Sequence, residues 1–135
     1  VLNISYPIHE KMVTCKSNKN EYGCITEIGG FSIQSDTTAD KGGNENGIRP
    51  HDILATAFAS CLNLSVRIAC NKKNISIENV TTRVGLVREE SKTIFTYQLE
   101  FDDLIPTDIK NKIIKLVENC PVRRTLSKPI EFHSI

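Results

Sequence analysis

Apolar and polar positions alternate in short runs through the first third of the chain, at 9–16, 22–28 and 31–36, separated by SNKNE and a Gly-Gly pair. Short alternating runs bounded by turn residues predict strands, and the economical reading is an N-terminal β-meander over 1–36. The following TTADKGGNENG has Ala39 as its one apolar residue. Its Gly, Asn and Asp content predicts a mobile surface loop over 37–48, read first as a slack connection and otherwise as a cover over a site. Pro50 then opens a long Ala- and Leu-rich stretch, HDILATAFASCLNLSVRIAC, with Asp52 in its first turn and Lys72 and Lys73 at its end. That pattern predicts a helix over 50–71. Apolar residues lie on almost every face of it, which implies a central helix surrounded by protein. A membrane span is the competing reading, and Asn63, Ser65 and Arg67 argue against it.

Residues 75–101 carry two β-rich runs around an EES turn and predict an antiparallel strand pair. In IPTDIKNKIIKLVENC, Ile109, Ile113, Ile114, Leu116 and Val117 share one side, predicting an amphipathic helix over 107–119 with Thr107 as N-cap. Pro121 permits a short helix over 121–127, and Pro129 opens a final strand over 129–135.

At 135 residues the chain has room for one domain. Seventeen basic against sixteen acidic residues leave a net charge of +1, so no overall field draws the protein to nucleic acid or to an anionic membrane. With no Trp, three Tyr and five Phe, there is little material for a base-stacking platform. Five cysteines, odd in number and without a CxxC or CxxH pair, argue against a disulfide framework and a zinc site, and point to a reducing, cytoplasmic setting. Residues 1–20 show no signal-peptide pattern. His9, His51 and His133 lack ligand spacing and read as structural, so no metal or cofactor is expected.

No P-loop, Rossmann turn, HExxH or GxSxG is present, and the cysteines are the nucleophiles that have a sequence context. Cys15, Cys24 and Cys70 read as small hydrophobes. Cys61 lies mid-helix, with Asp52 and Arg49 near the helix start about three turns away. Within one straight helix they cannot touch it, so an acid or base must come from another segment or another subunit. Cys120 stands where one helix ends and PVRR begins, near Arg123 and Arg124, a setting that eases thiol ionisation.

The segments GIRPHDILATAFASC and NCPVRRTLS resemble the two signatures of the OsmC/Ohr superfamily. That family carries G-x-N-P-x-E-L-L-x-A-A-x-x-x-C on a central helix and a later C-P-V or C-P-Y beside a short helix. The resemblance covers nearly the whole chain. It implies an α+β fold with antiparallel sheets wrapped around a central buried helix, in an intertwined homodimer with intersubunit sites. It also implies an antioxidant peroxidase that reduces organic hydroperoxides, with Cys61 as the peroxidatic thiol, Cys120 as the resolving thiol and an external dithiol as reductant. Two positions depart from the family pattern: Asp52 stands where Glu is usual, and residues 1–48 contain no Arg to hold the thiolate and peroxide. Arg49, in the slot where the family carries Asn, is the first substitute; Arg123, Arg124, Lys11, Lys16 and Lys19 are the others. The rival function is a dimer that binds a small apolar or acyl ligand in the intersubunit cleft, its cysteines only lining the space.

Overall fold

The computed structural model describes residues 12–19, 21–101 and 104–135. The expected strand residues before Met12 lie outside that set, as do His9 and Lys11. The chain divides at Pro50 into two compact units.

The first unit is a three-stranded antiparallel meander of β1 (Thr14–Ser17), β2 (Cys24–Ile28) and β3 (Phe31–Ser35), in the order β1-β2-β3. Ile28 pairs with Phe31 across Gly29 and Gly30, whose φ values of 56° and 84° fit a two-residue hairpin turn that side chains with a Cβ enter at a cost. The segment after β3 is more than a slack connection. Asp36 is buried, and its carboxylate accepts the amides of Thr37 at 2.7 Å and of Asn44 and Asn46 at 3.2 Å each. A short 3₁₀ turn at Ala39–Lys41 follows, and Ile48 returns to β3 through its amide to the Gln34 carbonyl at 2.9 Å. The polar composition that predicted a loop therefore supplies amides to one buried carboxylate.

The second unit is built on α1 (Pro50–Lys72). By length and composition α1 could cross a membrane, but Phe58, Leu62, Val66, Ala69 and Cys70 face protein. Its burial is one-sided in the single chain, leaving Leu54, Leu64 and Ile68 about half exposed, in contrast to the all-round enclosure expected. Asn63 is matched to this setting, since its Nδ2 donates to the Val80 carbonyl at 2.9 Å and its Oδ1 accepts from Arg67 Nε at 3.0 Å.

β4 (Val80–Arg88) and β5 (Thr93–Phe101) pair antiparallel from Val80↔Phe101 to Arg88↔Thr93. Pairing starts at Val80, five residues later than expected, because the chain leaves α1 through Asn74 at φ 54° and the Ile75 amide returns to the Cys70 carbonyl. Ile75 and Ile77 pack instead on the core of Val66, Ala69, Cys70, Ile113 and Val117. Val117 closes α2 (Thr107–Val117), in which Pro106 rather than Thr107 holds the N-cap position and no side chain caps the helix. The last helix, α3 (Pro121–Leu126), has Pro121 in its first turn, where the missing N–H costs nothing.

The final strand expected over 129–135 is absent: those residues join no ladder, and Ile130 and Phe132 are exposed. Alternation and a leading Pro describe a chain able to enter a sheet, yet a strand also needs an edge to pair with. The β4-β5 sheet takes up no third strand among the described residues.

Candidate functional site

Cys61 sits on α1 one residue before the fully buried Leu62, so its sulfur lies at the border of the core formed by Phe58, Leu62 and Cys120. Opposite, the turn from α2 into α3 makes Cys120 the N-cap residue of α3, with its amide bonded to the Val117 carbonyl at 3.0 Å. Val122 lies in the first turn of α3, where backbone amides have no partner within the helix, and its amide donates to Cys61 Sγ at 3.4 Å. One bend thus carries Cys120 and presents a donor to Cys61. The two cysteines singled out in the sequence are brought together.

Their environments differ. Cys61 is partly buried, whereas Cys120 is 3 % exposed. Burial pushes the Cys120 thiol above its ordinary pKa, and its hydrogen bond and proximity to Cys61 push the same way; the amides of Arg123 and Val122 oppose the rise without cancelling it. The sequence context that favoured an ionised Cys120 is outweighed by its burial.

Around the sulfurs the walls are aromatic. The β5 alternation aims Phe95, Tyr97 and Leu99 to one face, and Phe58 meets the rings of Phe95 and Tyr97 edge-on, each at 5.7 Å between centroids. Beside them lies a cavity of about 440 Å³ lined by Leu54, Phe58, Phe95, Tyr97, Leu126 and Arg123, among others. The Arg123 guanidinium donates to the Glu118 carbonyl at 2.7 Å and to Tyr97 Oη at 3.4 Å, and its carbon stands 6.0 Å from the Tyr97 ring centre. These bonds fix Arg123 as the cation on the cavity wall.

The structure does not bring Asp52 to Cys61. α1 is continuous between them, and nine residues of helix put them ~13.5 Å apart along the axis and on opposite faces. Arg49 ends the segment before α1 and is exposed; Arg124 is exposed on α3. The Val122 amide and the aromatic pair of Phe58 and Tyr97 went unmarked in the sequence. A backbone donor has no side-chain signature, but the period-two pattern of β5 could have flagged Tyr97. Among the described residues no group of three or more His, Cys, Asp or Glu could hold a metal ion.

The family model for OsmC-like protein matches residues 42–134. The chain belongs to the OsmC-like protein family. Its α+β OsmC-like fold, with antiparallel sheets and a central helix, recurs in distant solved structures. A candidate osmotic stress induced and detoxification response protein from Psychrobacter arcticus is 20% identical with a TM-score of 0.71, over 88% of this chain and 91% of that one. An OsmC-like protein from Mycoplasma pneumoniae is 18% identical with a TM-score of 0.67, over 89% of each chain. The organic hydroperoxide resistance protein OhrB of Bacillus subtilis is 18% identical with a TM-score of 0.65, over 90% and 93%. No curated protein matches this OsmC-like chain.

Proposed function

We propose that this OsmC-like protein is a thiol-dependent peroxidase that reduces organic hydroperoxides. The observation that carries the reading is the placement of Cys61 Sγ under the Val122 amide, two residues from the buried Cys120. The Cys61 thiolate attacks the distal peroxide oxygen, the O–O bond breaks, and the alkoxide leaves as an alcohol after taking a proton, so Cys61 becomes a sulfenic acid. The Cys120 thiol then displaces water from that sulfur to give the Cys61–Cys120 disulfide, which an external dithiol reduces. Cys61 is the more accessible of the two sulfurs, which suits it to meet the peroxide, and the contact between the two suits the buried Cys120 to the second step. The apolar cavity, which shares Phe58, Phe95 and Tyr97 with the packing around the two sulfurs, suits the organic part of the peroxide, and Arg123 is the cation on its wall.

The protein acts as a homodimer in this reading, and the exposed Leu54, Leu64 and Ile68 of α1 support it. Asp52 and Arg49, remote from Cys61 along one chain, then serve the partner's site. A cytoplasmic location belongs to the same reading, from cysteines without a disulfide pattern. The cavity also favours a second reading, in which the dimer holds a small apolar or acyl ligand and the thiols do no chemistry.

Steady-state consumption of cumene hydroperoxide with a dihydrolipoyl-type dithiol separates the two. The peroxidase reading expects turnover that Cys61→Ser abolishes and Cys120→Ser reduces. Equal, background-level consumption by all three proteins would leave the binding reading.

A further inference from the structure

Two other cysteines meet in the first unit, far along the chain from Cys61 and Cys120. In the β1-β2 ladder Cys15 pairs with Thr26 and Ser17 with Cys24, so both thiols project from the same face of the meander on diagonal positions. Cys15 is exposed and Cys24 half-buried, in contrast to the core role their composition suggests. They touch. The Cys24 S–H donates to the Cys15 sulfur, which also accepts the Thr26 hydroxyl.

These contacts divide the labour between the thiols. The Thr26 hydroxyl, and then the Cys24 thiol, hold the Cys15 thiol below its ordinary pKa. The bond to Cys15 raises that of Cys24, with desolvation, the Cys15 charge and the Asp36 carboxylate adding to the rise and the Ser35 hydroxyl opposing it. Cys15 is therefore the first of the two sulfurs to ionise, with the Cys24 thiol hydrogen-bonded to it. Two sulfurs in contact on one face of the meander are a two-ligand set for a cation.

Which cation follows from what surrounds the pair. Diagonal cross-strand neighbours are ~7–8 Å apart, beyond the ~4.4–6.8 Å between α-carbons that a disulfide spans. A metal bridge is longer than an S–S bond by two metal–thiolate bonds of about 2.3 Å against one of about 2.05 Å, and so closes the diagonal gap. Zinc would need two further N, S or carboxylate ligands. Among the described residues no third His, Cys, Asp or Glu completes such a group, and the Asp36 carboxylate is already taken by three amides. Soft thiolates in a two-ligand site select a soft monovalent ion. The geometry points to a two-thiolate Cu(I)-class binding site at Cys15 and Cys24, separate from the Cys61–Cys120 pair.

The test uses the full chain carrying Cys61→Ser and Cys120→Ser, so that the other thiol pair is silent. Anaerobic Cu(I) is titrated against the chromogenic chelator bicinchoninate, with Zn(II) against a zinc indicator beside it. The site predicts one Cu(I) withheld per chain, with a thiolate-to-copper charge-transfer band, and no zinc withheld. Adding Cys15→Ser, an exchange at an exposed position, or Cys24→Ser should lose both the withheld copper and the band, with the circular dichroism unchanged. Copper left with the chelator while both thiols are present, or retention unaffected by either exchange, would overturn the site. Preferential retention of zinc would overturn the assigned ion class. Loss of two hydrogens from this protein on hydroperoxide treatment would overturn the diagonal-gap argument by showing that the pair closes a disulfide.

Discussion

Asp36 shows how one side chain can organise a segment that composition reads as slack. Three amides converge on its carboxylate, and the Thr37 amide contributes most to holding its pKa below the ordinary value, with those of Asn46 and Asn44 adding to it against desolvation. A carboxyl whose pKa is lower folded than unfolded stabilises the fold when ionised. That contribution is complete above the unfolded value of about 3.9 and is lost as the pH falls through the lower folded value. Amide hydrogen exchange at Asn44 and Asn46 should therefore be slow at neutral pH, after correction for intrinsic rates, and lose protection below that range. Asp36→Asn should lose the pH dependence and much of the protection at neutral pH. Equal protection in both proteins across the range would show that the loop is held by other means.

At the scale of elements, α1 is the piece on which the second unit is assembled. Leu62 has no exposed surface and belongs to the cluster that holds Phe58 and Cys120, against which Cys61, Phe95 and Tyr97 pack. Leu62→Ala removes a fully enclosed side chain and should destabilise the fold by ~2–5 kcal/mol, read from denaturant midpoints at unchanged slope. A change well under 1 kcal/mol would mean that the site collapses around the smaller residue. This helix was legible because Ala and Leu content, Pro50 and the terminal lysines agree, and β5 because its alternation is regular. The strand expected at the C-terminus failed for the opposite reason: pairing depends on an edge elsewhere, which no local pattern encodes. Likewise the motif resemblance nominated Cys61 and Cys120, but their meeting depends on the bend at Pro121 and on how α3 packs. Asp52 and Arg49 were nominated from the same motif, and the straight helix keeps Asp52 away from Cys61 within one chain.

For the whole molecule, the distribution of exposed apolar residues is the informative feature. Leu54, Leu64 and Ile68 on a helix with this composition are costly to leave in water, and a second copy of the chain is the occupant the homodimer reading supplies. Sedimentation equilibrium should give twice the 15.1 kDa chain mass, and Leu64→Glu with Ile68→Glu should shift the protein toward monomer with the far-ultraviolet circular dichroism retained. A monomeric parent, or a dimer indifferent to both charges, would contradict an interface on that face. The central claim concerns sulfur chemistry, and intact mass with a free-thiol count after one equivalent of cumene hydroperoxide, under anaerobic conditions, tests it most directly. The account predicts loss of two hydrogens and two thiols in the parent, no change in Cys61→Ser, and a gain of one oxygen at Cys61 in Cys120→Ser. Unchanged mass and thiols in the parent would contradict it.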